Sequence, residues 1–246
     1  QPAQAVATTS TDLTAALASA ACSQSQWDQL GGVPRAAILE HAAERLARRH
    51  PELSITVASI RYYARLARER FAAPAALVGP TGESNELSLH GRGVILCAVI
   101  ESTTTAVVAN QLAAALAAGN SVMVCTNDDN LNPVTTVVSV LREAGVPPEV
   151  LALSQDTGKM TQVLHDERVQ AVAFNGSEDV ALTLQQQLIA RHASFAPVIN
   201  TAFGPGYIMR FAREKTVTNN IVATGGNALL LNLKETRQAS GAAHAH

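Results

Sequence analysis

The chain of 246 residues has little net charge and no long apolar run, and each absence excludes a class of protein. Lysine and arginine (18 residues) nearly balance aspartate and glutamate (20 residues), so the net charge is −2. We therefore expect no nucleic-acid partner, because phosphate contacts need a basic face. Gly, Asn or Gln interrupts the longest apolar stretches well short of the about 20 residues that span a bilayer, so no transmembrane segment is predicted.

Cysteine is scarce and the histidines are dispersed. Cys22, Cys97 and Cys125 are an odd set without metal-ligand spacing, which suits a reducing compartment, so a cytoplasmic location is predicted. No HxxxH or His–Cys spacing occurs, so no metal site is predicted. The opening QPAQAVATTSTDL is polar and lacks the basic start of a secretory signal. Because the chain begins with Gln1 rather than Met, we expect it to be a piece of a longer polypeptide.

Two motifs that often mark a catalytic or nucleotide site are also missing. There is no nucleophile elbow of the kind that presents a catalytic serine. The run GPTGES at residues 79–84 resembles a phosphate-binding loop in its glycines, but it lacks the Lys-Ser/Thr ending and does not join a strand to a helix. These absences leave hydrolysis without a positive sign in the sequence.

What the sequence does contain is a regular alternation between residues 93 and 200. Short apolar runs such as GVILCAV, SVMVC, VLALS and VQAVAF alternate with amphipathic stretches of helical length. This pattern predicts parallel strands buried on both faces by crossover helices, in a doubly wound α/β sheet. Because ligands of such a sheet bind at the carboxyl ends of the strands, the loops after the strands are the candidate site.

Local patterns predict the flanking elements. A helix is predicted over residues 34–50, with Arg35 on its solvent face, and a second helix over residues 54–71. Residues 74–82 are predicted to form a loop and residues 207–211 a short strand. The Thr-, Val- and Leu-rich run that follows is predicted to be an extended arm.

Several of these runs carry a family resemblance. HGRGVILC, QLAAALAAGNSVMV, EAGVPPEV and FNGSEDVA resemble the cofactor-binding half of aldehyde dehydrogenases. GPTGESN with HGRG, and TVTNNIVATGGNALLL near the C-terminus, resemble the dehydrogenase part of the proline utilization A family, whose members oxidise proline to glutamate with a flavin and then a nicotinamide cofactor. Longer members of that family carry an extra C-terminal domain of the aldehyde dehydrogenase superfamily type, and this chain resembles that extra domain better than the working one.

The resemblance implies a Rossmann-like doubly wound parallel sheet with N-terminal helices and a C-terminal β-flap arm. We divide the chain accordingly into five segments. They are a linker over residues 1–11, an N-terminal helical segment over 12–80, a degenerate Rossmann-like domain over 81–215, a β-flap arm over 216–233 and a disordered tail over 234–246.

The catalytic positions that the resemblance implies are altered. In the family, an asparagine amide after the first strand stabilises the oxyanion and a glutamate acts as the general base; here Ser102 and Thr201 occupy these positions. A short hydroxyl cannot copy the amide, and a neutral threonine cannot activate water. The resemblance assigns the nucleophilic cysteine to a second domain that is missing here, and neither Cys97 nor Cys125 is expected to replace it.

The cofactor-binding positions differ too. Glu101 would repel a pyrophosphate, Cys125 replaces the lysine that holds the adenosine ribose, and Asp156 falls in a turn where the family has glycine. Gly176 and Ser177 match the phosphate-contacting Gly-Ser pair as a vestige, although Ser177 is also a natural helix N-cap. We expect no cofactor in this chain, and FAD and NAD in the parent protein.

These observations predict a non-catalytic aldehyde-dehydrogenase-like module of proline utilization A. It would cover the cavity through which the semialdehyde intermediate passes and stabilise the assembly, with residues 216–233 pairing with other domains or subunits of a homo-oligomeric parent. Two alternatives stay open. One is an NAD-dependent aldehyde dehydrogenase fragment with a weak nucleotide site around Gly176 and Ser177, and the other is a pure oligomerisation domain.

Overall fold

The computed structural model describes residues 13–79, 83–191, 193–200 and 204–220, the last residue by its backbone alone. The predicted linker, the predicted tail, Thr201 and the part of the predicted arm after Asn220 lie outside the described residues. By chain contacts the protein divides into two compact units. One is Gln1–Ala73 with Leu89–Arg213, and the other is Pro74–Ser88 with Glu214–His246.

The described residues form eight helices and eight strands, in which helices and strands alternate from residue 94 onwards as the apolar pattern predicts. In chain order they are α1 Leu13–Gln29, α2 Gly32–Arg49, α3 Ser54–Arg70, β1 Ala75–Leu77, β2 Glu83–Gly91, β3 Val94–Val99, α4 Thr105–Ala117, β4 Ser121–Thr126, α5 Leu131–Glu143, β5 Leu151–Ser154, α6 Met160–His165, β6 Val169–Phe174, α7 Glu178–Ala190, β7 Val198–Asn200, α8 Pro205–Met209 and β8 Ala212–Asn220. Two 3₁₀ turns, Asp128–Asn130 and Thr157–Lys159, precede α5 and α6.

The first unit is built on a five-stranded sheet in the order β5-β4-β3-β6-β7. Every neighbouring pair is parallel. Strands β3 and β4 are buried along their whole length, because the crossover helices cover both faces of the sheet. The predicted doubly wound parallel sheet is therefore confirmed.

Alternate residues of each strand supply two separate cores, one on each face of the sheet. On one face Ile95, Cys97 and Val99 pack with α2, α3, α4, α5 and α8, and on the other face Val94, Leu96 and Ala98 pack with α1, α6 and α7. This alternation is the two-residue period of a pleated strand, here apolar on both sides. None of the described helices has the length and apolarity needed to cross a membrane.

A second, three-stranded sheet has the order β1-β2-β8, in which β1 and β2 are antiparallel. The second unit contains β1, residues 83–88 of β2 and residues 214–220 of β8. Residues 74–82 were predicted to be a loop, and this prediction is wrong for Ala75–Leu77, which pairs with residues 85–87. The reason is non-local: a strand of three exposed residues has no apolar periodicity of its own and exists through its hydrogen-bonded partner.

The predicted strand over residues 207–211 is also wrong. This segment begins as the helix α8, and β8 starts only at Ala212. Gly204, with φ at 126°, turns the chain, and Pro205 occupies the first turn of the helix, where its missing N–H costs nothing. Tyr207 and Ile208 are buried from this short helix, so their apolar character reflects core packing and not strand formation.

Arg35 is the third correction, because it lies in the core and not on the solvent face of α2. Its side chain is 1% exposed. Its Nε donates to the carbonyl of Ala117 at 3.1 Å, and its Nη1 donates to the carbonyls of Trp27 and Asp28 at 3.2 and 2.6 Å. Burial lowers the pKa of Arg35 to about 10, partly offset by the Asp28 carboxylate, so the guanidinium stays charged at neutral pH.

Candidate functional site

The carboxyl ends of the parallel strands bring the predicted site residues to one edge of the sheet. Glu101 follows β3, Cys125 is near the end of β4, and Asp156 follows β5, while Gly176 and Ser177 link β6 to α7. We call these five residues the strand-end site. Their convergence follows from the parallel order of the strands, since all four strands end at the same edge.

The central contact of the strand-end site joins Glu101 to Ser177. The backbone N–H of Ser177 donates to Oε2 of Glu101 at 2.5 Å, and the Ser177 hydroxyl donates to Oε1 at 2.9 Å. Ser177 is the N-cap residue of α7, and its hydroxyl makes no cap hydrogen bond within the helix. The first backbone N–H groups of a helix attract anions, so the Glu101 carboxylate occupies the position where a helix N-terminus would receive a phosphate.

Gly176 makes this contact possible. A Cβ atom added at Gly176 would overlap Oε2 of Glu101 and would also lie 2.5 Å from Cζ of Phe174. The glycine thus leaves space that the carboxylate fills. In this chain the space is therefore taken by a side chain of the protein itself.

Two asparagines hold the loop that carries Glu101. Asn130 is 3% exposed, and its Nδ2 donates to the carbonyl of Glu101 at 3.0 Å while its Oδ1 accepts from the N–H of Thr103 at 3.1 Å. The Nδ2 of Asn127 donates to the carbonyl of Ile100 at 3.1 Å. The loop after β3 is therefore clamped to the loop after β4, which fixes the backbone from which the Glu101 side chain reaches α7.

The other two side chains of the strand-end site are the acidic Asp156 and the neutral Cys125. Cys125 is fully buried next to Ser154 in the β4–β5 register. Burial first, and the Asp156 carboxylate second, raise the pKa of Cys125 to about 12. The Asp156 side chain accepts from the N–H of Lys159 at 3.3 Å and forms an ion pair with its Nζ at 3.4 Å, so it caps the turn before α6. Neither residue presents a cation to a nucleotide.

Thiol chemistry offers a direct prediction. Cys97 and Cys125 are buried and burial raises the pKa of both thiols, whereas Cys22 is exposed. The thiolate is the reactive species. We therefore expect one thiol per folded chain to react rapidly with Ellman's reagent. All three thiols should react after unfolding in guanidinium. A Cys22→Ser variant should give almost no fast phase, and a fast phase that survives this change would contradict the burial of the other two.

Ser102, predicted at the oxyanion position, is exposed one residue beyond Glu101. Thr201, predicted at the general-base position, lies outside the described residues. No group of three or more His, Cys, Asp or Glu side chains among the described residues is placed to hold a metal ion. The strand-end site therefore offers hydrogen-bonding groups, two carboxylates and one buried thiol.

Sequence reasoning identified Glu101 as a repelling charge but did not find its partner. The contact with Ser177 joins residues 76 positions apart, and only the folded sheet brings them together. Asn127 and Asn130 were not identified either. Their signal is a polar run, NDDN, directly after a buried strand, and such runs often hold neighbouring loops through side-chain to backbone hydrogen bonds.

Residues 50–199 match the model of the aldehyde dehydrogenase family. The bifunctional protein PutA of Escherichia coli (strain K12) is 31% identical over 170 residues, which are 68% of this chain and 12% of that protein. The bifunctional protein PutA of Rhizobium meliloti is 31% identical over 183 residues, 66% of this chain and 14% of that protein. The chain thus spans about one eighth of the length of the curated relatives it matches.

Solved structures agree in fold. A structure of proline utilization A with proline bound in remote sites superposes with a TM-score of 0.69 and 31% identity, over 77% of this chain and 22% of that one. An NAD-dependent benzaldehyde dehydrogenase from Corynebacterium glutamicum gives a TM-score of 0.67 at 18% identity, over 76% of this chain and 44% of that one. The second similarity, at so low an identity, bears on the fold alone.

Proposed function

Because the chain belongs to the aldehyde dehydrogenase family, we propose that it is a non-catalytic module of a proline utilization A protein, retained for its shape. The observation that supports this most is the contact of Glu101 with Ser177. The protein's own carboxylate takes the helix N-terminus at which the nucleotide phosphates of a dinucleotide fold bind.

The residues of the strand-end site do not fit NAD. A pyrophosphate at α7 has to displace Glu101 and then meet its negative charge. The neighbouring strand ends supply Cys125 and Asp156, and the Lys159 ammonium beside them is already paired with Asp156 at 3.4 Å. We therefore assign no step of a dehydrogenase reaction to this chain, and we place FAD and NAD in other domains of the parent protein.

The catalytic groups point the same way. Ser102 replaces the oxyanion-stabilising amide of the family and Thr201 replaces its general base. A threonine hydroxyl stays protonated at neutral pH and cannot take a proton from water. The buried Cys97 and Cys125 thiols lack the activation that a nucleophile needs.

The proposed role is to cover the cavity through which the parent passes its semialdehyde intermediate, in the cytoplasm, as part of a homo-oligomeric assembly. The arm over residues 216–233 pairs with another domain or subunit in this proposal. Its described part belongs to β8, which runs as far as Asn220. Strands of this kind leave backbone groups to pair with a neighbouring edge.

Calorimetric titration of the purified chain with NAD tests the cofactor part of this proposal. We expect no heat of binding at micromolar NAD, because the anion position is occupied from within. Micromolar affinity, or aldehyde-dependent NADH formation by the chain alone, would establish instead the alternative of an NAD-dependent fragment with a weak nucleotide site.

Deleting residues 216–233 in the intact parent protein tests the covering role. We expect free semialdehyde to appear in solution before glutamate forms, while the oligomer stays intact. An oligomer that dissociates without leakage would favour a pure oligomerisation domain. A deletion without effect on either would remove the arm from both proposals.

One observation favours the oligomerisation alternative independently of the arm. The outer face of α7 and the loop after it expose Leu182, Ile189 and Phe195, whose exposed fractions are 57%, 65% and 75%. Leu182 and Ile189 are seven residues apart and share one face of α7, and exposed apolar faces are typical of association surfaces. Sedimentation of the Ile189→Asp variant should then show a smaller assembly than the wild type, with an unchanged circular dichroism spectrum.

A further inference from the structure

Three arginines come from three different segments: Arg92 and Arg213 lie near the amino-terminal ends of β3 and β6, and the Arg210 guanidinium binds carbonyls of the outer strand β7. Arg92 precedes β3, Arg210 directly follows α8, and Arg213 is the second residue of β8. We call them the arginine cluster. All three belong to the first of the two units, and Arg210 and Arg213 are exposed to solvent while Arg92 is half-buried.

Hydrogen bonds fix the arginine cluster in place. The backbone N–H of Arg92 donates to the carbonyl of Phe211 at 3.3 Å, and its Nε donates to the carbonyl of Arg210 at 2.6 Å. The Nη2 of Arg213 donates to Oε1 of Gln170 at 2.5 Å. These contacts tie the segment before β3 to the segment between α8 and β8.

Gly93 allows the Gln170 side chain to take this position. Its φ is 139°, a conformation that favours glycine, and a Cβ atom there would lie only 2.7 Å from Cγ of Gln170. The side chain of Gln170 therefore lies against the backbone next to Arg92, where it holds Arg213. The position of the Arg213 guanidinium is thus set by contacts within the fold.

The positive charge of the arginine cluster is not balanced within the described part of the chain. Arg45, Arg49, Arg68 and Arg168 each form an ion pair with a carboxylate. The arginines of the cluster have no carboxylate within 4.0 Å among the described residues.

The hydrogen bonds from the cluster's side chains end on neutral oxygens instead: backbone carbonyls for Arg92 and Arg210, and an amide oxygen for Arg213. Burial first, and then the charges of Arg213 and Arg210, lower the pKa of Arg92.

We propose that the arginine cluster is a docking site for an acidic segment of a protein partner. Guanidinium groups present paired N–H donors that match carboxylates. Because the Nε of Arg92 binds the Arg210 carbonyl and Arg213 binds Gln170 beside Gly93, successive carboxylates of one acidic segment meet several of these guanidinium groups. The cluster lies on an open surface, so a single small ion there competes poorly with water. Several carboxylates on one chain bind together and gain from multivalency.

The chemistry favours a protein segment over other polyanions. A nucleic acid needs a wider basic face, and the chain as a whole carries a net charge of −2. The proposal does not rest on the proposed function, because the side-chain hydrogen bonds of Arg92, Arg210 and Arg213 go to residues outside the strand-end site.

The test is calorimetric titration of the full 246-residue chain with a capped hexaglutamate peptide, at an ionic strength of about 20 mM, where screening is weak. We expect binding to the wild type and none of the uncharged hexaglutamine peptide. Raising the ionic strength to about 0.5 M should weaken hexaglutamate binding by about tenfold or more, since the contacts are charge pairs near solvent.

Arg213→Gln is the decisive variant, because Arg213 makes one side-chain contact and the change should leave the fold intact. It should weaken hexaglutamate binding by about threefold to tenfold, and Arg92→Gln should do the same if its circular dichroism spectrum is unchanged. Arg48→Gln, at an exposed arginine of α2, is the matched control and should bind as the wild type does.

Equal affinities of Arg213→Gln and Arg48→Gln would overturn the proposal, and so would hexaglutamate binding no tighter than hexaglutamine. Competition by inorganic phosphate distinguishes a site for acidic protein segments from a site for small anions. If phosphate at an equal concentration displaces the peptide, the cluster is a small-anion site and the protein-docking proposal fails.

Discussion

Replacing Glu101 with alanine is expected to lower the Kd of this chain for inorganic pyrophosphate by at least about tenfold, because a competing charge-assisted carboxylate contact contributes more than about 1.4 kcal/mol. The change removes both oxygens that accept from Ser177 and frees the N-terminus of α7. Calorimetric titration of wild type and variant with pyrophosphate measures the ratio.

Two further variants separate occupancy of the site from charge. Glu101→Gln keeps a hydrogen-bond acceptor without the charge, so its gain should be smaller than that of Glu101→Ala. Glu178→Ala removes one negative charge from the first turn of the same helix without touching the Ser177 contacts. If Glu178→Ala increases the affinity for pyrophosphate as much as Glu101→Ala does, general charge repulsion explains the result and direct occupancy by Glu101 is wrong.

Glu101→Ala should also destabilise the protein, which provides a second test of the Glu101–Ser177 contact. Glu101 satisfies an N-terminal N–H group of α7 and places a negative charge at its positive end, so Glu101→Ala should lower the free energy of unfolding by about 0.5–2 kcal/mol. A gain in pyrophosphate binding together with a lower urea midpoint is the expected pair of results.

Replacing Arg35 with methionine is expected to lower the free energy of unfolding by about 3–5 kcal/mol, the range for breaking a buried, hydrogen-bonded ion pair. Methionine has a similar length, so little cavity is created and the loss reports the polar contacts. Carbonyls of Trp27, Asp28 and Ala117 each lose the Arg35 donor, although the Asp28 carbonyl still accepts from the N–H of Gly31 at 3.1 Å, and the carboxylate of Asp28, 13% exposed, loses the guanidinium at 3.7 Å. Urea unfolding followed by circular dichroism measures the change.

Arg48→Met is the control for this prediction. Arg48 lies on the same helix, is exposed, and should change the free energy of unfolding by less than about 0.5 kcal/mol. The contacts of Asp28 with His90 at 2.8 Å and with the N–H of Gly91 at 3.0 Å remain in both variants, so they do not contribute to the difference. A small effect of Arg35→Met would mean that water replaces the guanidinium, which its burial argues against.

The parallel sheet could be predicted because its signal is repeated along the chain. Each strand is an apolar run flanked by helix-length stretches, and burial on both faces leaves no polar alternation to confuse the pattern. The short elements were harder. The segment before Ala212 is apolar because Tyr207 and Phe211 pack against the core, and that burial makes a short helix and a short strand look alike in sequence.

Arg35 shows why local periodicity misplaces a buried charge. A helical projection places an arginine on the solvent-exposed face. Only the hydrogen-bonding partners of Arg35 show that it is buried. Those partners lie on α1 and at the end of α4, 7 to 82 residues away in sequence. A buried charge is tolerated when it is hydrogen-bonded and paired, which is information about neighbours in space.

The chemistry-bearing residues were all readable in the sequence, but their relations were not. Ser102 and Asp156 could be placed after strands and Cys125 at the end of one, and the parallel topology predicted their common edge. That the Glu101 carboxylate turns onto Ser177 could not be predicted, since it depends on the loop clamp made by Asn127 and Asn130.

The sequence by itself determined the fold and the residue types available at each strand end, because apolar periodicity and local turn chemistry are written residue by residue. The tertiary structure alone decided which charges have partners. It gave Arg35 a half-buried carboxylate and three carbonyls, and it placed the Glu101 carboxylate at the N-terminus of α7. It left the side chains of Arg92, Arg210 and Arg213 hydrogen-bonded to neutral oxygens. The physical reason is that Coulomb and hydrogen-bond energies depend on distance in space, and chain folding sets that distance between residues remote in sequence.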